Sequence, residues 1–100
     1  MPFARLVELE PTDERATASY DAVGERLNAA ADPPDGLILH SAGFGEDGTF
    51  RTYDVWESRD QIERFENERL FPAIEEVAGE DFRPPIKREI YELHDIVVPS

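Results

Sequence analysis

Phe3 to Glu10 (FARLVELE) alternates apolar and polar residues with a period near two, which predicts a strand. Pro11-Thr12 interrupts it. Thr12 is placed to cap a helix, with Asp13 and Glu14 in the first turn, where the helix dipole favours negative charge. Ala16, Tyr20, Val23 and Leu27 then recur at helical spacing, so one apolar stripe is predicted on a helix from Asp13 to about Ala30. Asp32-Pro33-Pro34-Asp35-Gly36 has the composition of a turn. Leu37 to Phe44 (LILHSAGF) predicts a largely apolar strand. Glu46-Asp47-Gly48 predicts a hairpin tip, and Phe50 to Glu57 (FRTYDVWE) the aromatic, β-branched return strand.

Ser58 opens a second helix. Ser58 and Gln61 form a capping box, in which the hydroxyl accepts an orphan amide proton and the glutamine side chain reaches back. Ile62, Phe65, Leu70, Ala73, Ile74 and Val77 supply its apolar face. Pro72 has no amide proton, so a kink is predicted there, or a break near Leu70 with Pro72 starting a second short segment. Gly79 is the predicted stop, Arg83-Pro84-Pro85 a rigid linker, and Ile86 to Val98 the last strand. The order β-α-β-β-α-β predicts one α+β domain over residues 1–100. Its plan is ferredoxin-like: a four-stranded antiparallel sheet with two helices on one face.

Two helices cover one face of such a sheet. In the third strand Phe50, Thr52, Asp54 and Trp56 share a face, and Arg51, Tyr53, Val55 and Glu57 share the other. In the second strand Leu37, Leu39 and Ser41 oppose Ile38, His40, Ala42 and Phe44. Both faces carry large apolar groups, the pattern of a sheet buried on both sides. The simplest cover is a second copy, so a homodimer is expected.

Composition narrows the partners. The 100 residues hold 23 acidic and 10 basic side chains, a net charge of −13 spread over both halves. Such a chain repels phosphate backbones and anionic lipid, so neither nucleic acid nor membrane is an expected partner. The absence of cysteine excludes disulfides, thiolate metal sites and thiol nucleophiles. No apolar run is long enough to span a bilayer, and the N-terminus has no secretory pattern, so a soluble cytoplasmic protein is expected. The two histidines and the carboxylates follow no recognised metal-ligand spacing, so no metal is expected. Gly43-x-Gly45-x-x-Gly48 matches a dinucleotide fingerprint in letters only, because it leads into a strand rather than a helix. Nine arginines to one lysine, with abundant alanine, suit a GC-rich bacterial genome.

Val55-Trp56-Glu57-Ser58, followed by Ile62, Phe65, Phe71 and Ala73, resembles the dimeric α+β barrel superfamily, and most closely its antibiotic-biosynthesis-monooxygenase-like domains. In that family an aromatic third strand ends in a Trp-x-Ser turn that opens the second helix. The resemblance implies a homodimer. It also implies a small-molecule site, in some members a cofactor-independent monooxygenase acting on an anion of its substrate. Heme-degrading members differ from this chain. At their tryptophan and iron-ligating histidine positions stand Phe65 and Glu75, and the first strand has no asparagine. No cofactor is therefore expected.

The candidate chemistry is sparse. His40 titrates near neutrality and suits a general base, or a core histidine bonded to a carboxylate. Asp54 is costly to bury without a partner, and the hairpin makes His40 or Ser41 its cross-strand neighbour. An Asp54–His40 pair would be a base with its orienting group, or an ordinary buried hydrogen bond. Trp56 and Tyr20 are candidates for shaping a ligand pocket, with core packing as the alternative. His94, near the end of the last strand, and Arg69, near the apolar face of the second helix, are further ligand-binding candidates. A surface or dimer contact is the alternative for His94, and pairing with Glu66 or Glu68 for Arg69. The acidic residues of the second helix are expected on a solvated face. Two functions follow: an oxygenase or isomerase of an aromatic or enolisable compound, or a non-catalytic homodimeric binding or interaction module.

Overall fold

In the computed structural model, four strands form one antiparallel sheet: β1 (Phe3–Leu9), β2 (Leu37–Phe44), β3 (Phe50–Trp56) and β4 (Lys87–Glu92). The structure describes residues 1–9, 18–79 and 84–99, with the backbone alone for residues 18 and 19. The spatial order is β2-β3-β1-β4, so β1 and β3 are interior and β2 and β4 are edges. The helices are α1 (Ala18–Leu27), α2 (Arg59–Phe65) and α3 (Phe71–Ala78). A π-helical segment, Glu66–Leu70, joins the last two without a break. The ferredoxin-like order and the single helical layer are those expected from the sequence.

The helix-covered face follows from the register. Phe3 stands opposite Trp56, Arg5 opposite Asp54 and Val7 opposite Thr52. Trp56 packs on Phe65 of α2 with ring centroids 5.0 Å apart, which fixes this as the helical face. Ala4, Leu6, Val55, Tyr53, Leu39 and Tyr91 alternate to the other face, over which no helix lies among the described residues. Leu39 and Tyr91 stand exposed there.

Several boundaries depart from expectation for local reasons. The Thr12 cap, Ala16 and Arg83 lie outside the described residues. α1 ends at Leu27 rather than about Ala30, because Asn28 takes a left-handed φ of 50° and stops the helix. In β2, Leu37 pairs with Trp56 and Leu39 with Val55, so Ile38 is a bulge. The bulge turns Leu37 to the helical face, away from the face it was expected to share with Leu39.

Ser58 does cap α2, its hydroxyl accepting the Gln61 N–H at 3.3 Å. The Gln61 side chain meets that same hydroxyl at 3.0 Å instead of reaching a backbone amide. Around Pro72 the chain stays helical. The Phe71 N–H bonds to the Glu66 carbonyl five residues back, and Pro72, which has no N–H to offer, falls in the first turn of α3. Gly79 stops the helix at φ 52°, as expected. β4 ends at Glu92, six residues short of the predicted Val98. Among the described residues its one partner strand is β1, and the last bond runs from the Leu93 N–H to the Pro2 carbonyl at 2.9 Å. Pro2 has no N–H with which to continue the ladder. His94 therefore lies beyond the strand. No helix among the described residues is long and apolar enough to cross a membrane.

Candidate functional site

The hairpin of β2 and β3 places His40 directly opposite Asp54, and β1 places Arg5 on the other side of Asp54. All three side chains point to the helical face. The turn that sets this register is closed by the Gly45 N–H on the Thr49 carbonyl at 2.8 Å, with Gly48 at φ 85°. A one-residue slip would send His40 to the opposite face and break the constellation.

His40 Nδ1 bonds to Asp54 Oδ1, and Tyr20 Oη lies 2.6 Å from His40 Nε2. Tyr20 reaches the ring from the apolar stripe of α1, itself half-buried, and also packs edge-on against Phe50 at 5.0 Å. The Asp54 side chain is 4% exposed and that of His40 is 41% exposed. The chain thus runs from a buried carboxylate to an imidazole half open to solvent. A carboxylate only accepts, so the Nδ1 proton belongs to the bond with Asp54. In the neutral ring Nε2 is then the acceptor for the Tyr20 hydroxyl. That is the arrangement of a base with its orienting group and a phenol at its basic nitrogen.

The electrostatics agree with the geometry. The hydrogen bond to Asp54 raises the His40 pKa above its ordinary 6.5, against burial and the Arg5 cation, which lower it. Burial, then the negative charges of Asp54 and Asp21, push the Tyr20 phenol up, so it stays a neutral donor.

Beyond Asp54 the row continues with residues that sequence reasoning missed. Arg5 Nη1 lies 3.5 Å from Asp54 Oδ2, and Arg5 Nε donates to Glu66 Oε2 at 2.8 Å. Glu66 also accepts from Arg88 Nε at 2.9 Å and Arg88 Nη2 at 2.6 Å. Burial pushes the Glu66 carboxyl up, but the bonds from Arg88 and Arg5 outweigh it and hold the pKa below the ordinary value. Glu66 is 3% exposed, which corrects its assignment to a solvated face. The available signals were Arg5 on the apolar face of β1 with Phe3 and Val7, and Glu66 four residues after Ile62 on the buried stripe. Taking away Arg5 or Glu66 alone would leave a buried charge uncompensated, at a cost of about 3–5 kcal/mol.

The other candidates lie apart from this chain. Trp56 is buried against Phe65, and its indole N–H has no partner among the described residues. Arg69 does not pair with Glu66 or Glu68. Its Nη2 donates to the Leu27 carbonyl at 2.7 Å and the Asp32 carbonyl at 3.0 Å, tying the end of α1 to the π segment. It borders an open hollow of about 240 Å³ with Pro34, Gln61 and Phe65. His94 lines a second, equally small hollow with Met1, Glu92 and Leu93. No group of three or more metal-binding side chains converges among the described residues.

No family model matches this sequence, and no curated protein matches it. Solved structures do. Rv0793 from Mycobacterium tuberculosis superposes with a TM-score of 0.73 at 14% identity, covering 98% of this chain and all of the other. NE2512 from Nitrosomonas europaea, of unknown function, superposes with a TM-score of 0.72 at 22% identity over 99% and 95% of the two chains. A protein from Caulobacter crescentus, named as a candidate antibiotic biosynthesis monooxygenase, superposes with a TM-score of 0.68 at 14% identity over 94% and 91%. This chain has the antibiotic-biosynthesis-monooxygenase-like fold. A shared fold at these identities carries no activity with it. What this instance of the antibiotic-biosynthesis-monooxygenase-like fold mounts at the β2 edge is the hydrogen-bonded Tyr20–His40–Asp54 chain.

That chain has a signature in stability. A histidine whose folded pKa is raised stabilises the protein fully below its unfolded pKa, near 6.5, and loses that contribution as pH rises through the folded value. Chemical denaturation of wild type and His40→Asn across pH 5 to 9 should therefore show the wild-type advantage largest at the acid end and shrinking above about pH 6.5. An advantage that is flat, or grows with pH, would contradict the His40–Asp54 pairing.

Proposed function

We propose that this protein is a homodimer that binds a small aromatic or enolisable molecule beside His40, and that His40 takes a proton from it. The observation that carries the proposal is the hydrogen-bonded chain from Asp54 through His40 to Tyr20. Asp54 holds the ring with Nε2 outward and stabilises the imidazolium formed when Nε2 accepts a proton. Tyr20 stays protonated and offers its hydroxyl to the developing substrate oxyanion. The anion so formed reacts with dioxygen in a cofactor-independent monooxygenase, or is reprotonated elsewhere in an isomerase. Candidate monooxygenases among the proteins of this fold favour the first. Trp56 packs on Phe65 in the core and is left out of the reacting group. His94 and Arg69 border hollows that do not include His40, so they are left out of the reacting group.

The dimer is supported by the open sheet face. Leu39 and Tyr91 are exposed on it beside Leu6 and Tyr53, and a second copy laid on that face would cover them. A cytoplasmic location accords with the sequence features described above. A second reading has its own support. Both ring nitrogens of His40 are already bonded, as in a structural histidine, which suits a non-catalytic binding module.

The two readings separate on oxygen uptake or isomerisation with a panel of phenols and enolisable dicarbonyls. His40→Ala should lower kcat by roughly 10²–10⁴-fold on any substrate turned over, while the variant still binds it. Turnover that survives replacement of both His40 and Asp54 would sink the catalytic reading. Native mass spectrometry of the wild-type protein should show a two-chain species, and single chains alone would refute the dimer.

A further inference from the structure

Glu66 accepts three hydrogen bonds, one from Arg5 and two from Arg88, whereas Arg5 only approaches Asp54 at 3.5 Å. Two buried carboxylates thus compete for one buried guanidinium, and Glu66 holds it more closely. The planar fork of Arg5 cannot serve both equally well. Asp54 in turn gives its other oxygen to His40.

The geometry points to Glu66, with Arg88 and Arg5, as positioning residues for His40: Glu66 draws the Arg5 cation away from Asp54 and so leaves Asp54 to orient and charge the imidazole. The inference rests on the proposed role of His40 for its functional meaning, though the electrostatic coupling does not depend on it. Charges alternate in sign along the row, from Asp54 to Arg5, Glu66 and Arg88. Each is therefore felt at His40 with a predictable direction. Among the described residues the other group facing the ring is Tyr20 on α1, whose phenol in turn feels the charge of Asp21.

Glu66 is also where the helix changes its winding, since its carbonyl accepts the i+5 bond from Phe71. Its side chain is carried over β1 and reaches both Arg5 and Arg88. π insertions of this kind are enriched at functional sites, where they re-aim a side chain. The local winding of the helix is thereby linked to a base on the far edge of the sheet.

The test is an NMR titration of the two imidazoles in the full chain. The sequence has two histidines, and His94→Gln assigns the signals. In Glu66→Gln the carboxylate charge is gone and Arg5 is free to close on Asp54, so the His40 midpoint should fall by roughly half a pH unit. In Arg88→Gln, Glu66 keeps Arg5 as its partner and holds it harder, so the His40 midpoint should rise. The His94 midpoint should stay put in both. A His40 midpoint unchanged in both folded variants, or moved the wrong way, overturns the inference. If Glu66→Gln fails to fold, Arg88→Gln decides alone, because the Arg88 side chain is 40% exposed and is safely replaced. Midpoints that fail to move while His40→Ala abolishes turnover defeat the positioning role only. Midpoints that move as stated while His40→Ala leaves turnover intact defeat the catalytic reading only.

Discussion

Arg5 is 7% exposed on an interior strand, so its charge has to be neutralised by groups the fold brings from elsewhere. Asp54 comes from β3, Glu66 from the helical layer, and Glu66 brings Arg88 from β4. The ion pairs therefore join both sides of β1 to the helix above it. Replacing the set by apolar residues of similar volume could leave the protein as stable, which is the usual result for buried ion pairs. The charged set ties three strands to the helix, and at its outer end it presents His40 half open to water with a carboxylate behind it.

The division between core and site follows from this. Trp56, Val55, Ile62 and Ala73 are buried and bear the packing. The polar row runs through the same helix-facing layer as Trp56 and Ile62, and it reaches solvent at the β2 edge. A titratable group at such an edge keeps access to solvent while its partner stays dry, which is what a base needs to exchange protons and remain oriented. Other proteins of this fold share the frame, but fold likeness leaves the chemistry to the particular side chains each chain mounts on it.

Much of this was legible in the sequence, because its signals are local. The switch between periods of two and of about 3.6, with Gly and Pro between, predicts the β-α-β-β-α-β order. The tight acidic tip predicts a hairpin, and a hairpin of that length brings His40 or Ser41 opposite Asp54. What was not legible depends on contacts between distant elements. The Ile38 bulge changes the face of Leu37 without any mark in composition. The end of β4 is decided by Pro2 at the other end of the chain. Glu66 read as one more acid on an acidic helix, since its burial depends on Arg5 and Arg88. The five-residue step from Phe65 to Leu70 did hold a trace of the π segment that seats Glu66.

The most direct test of the account is the tautomer of His40, read from long-range ¹H–¹⁵N couplings of the imidazole at a pH above its titration. With Asp54 bonded at Nδ1 and Tyr20 donating to Nε2, the neutral ring should carry its proton on Nδ1 and show an unprotonated Nε2. The Nδ1 proton should resonate far downfield and disappear in Asp54→Asn. A neutral ring protonated at Nε2, with no change on replacing Asp54, would contradict the orienting pair and with it the base proposed here.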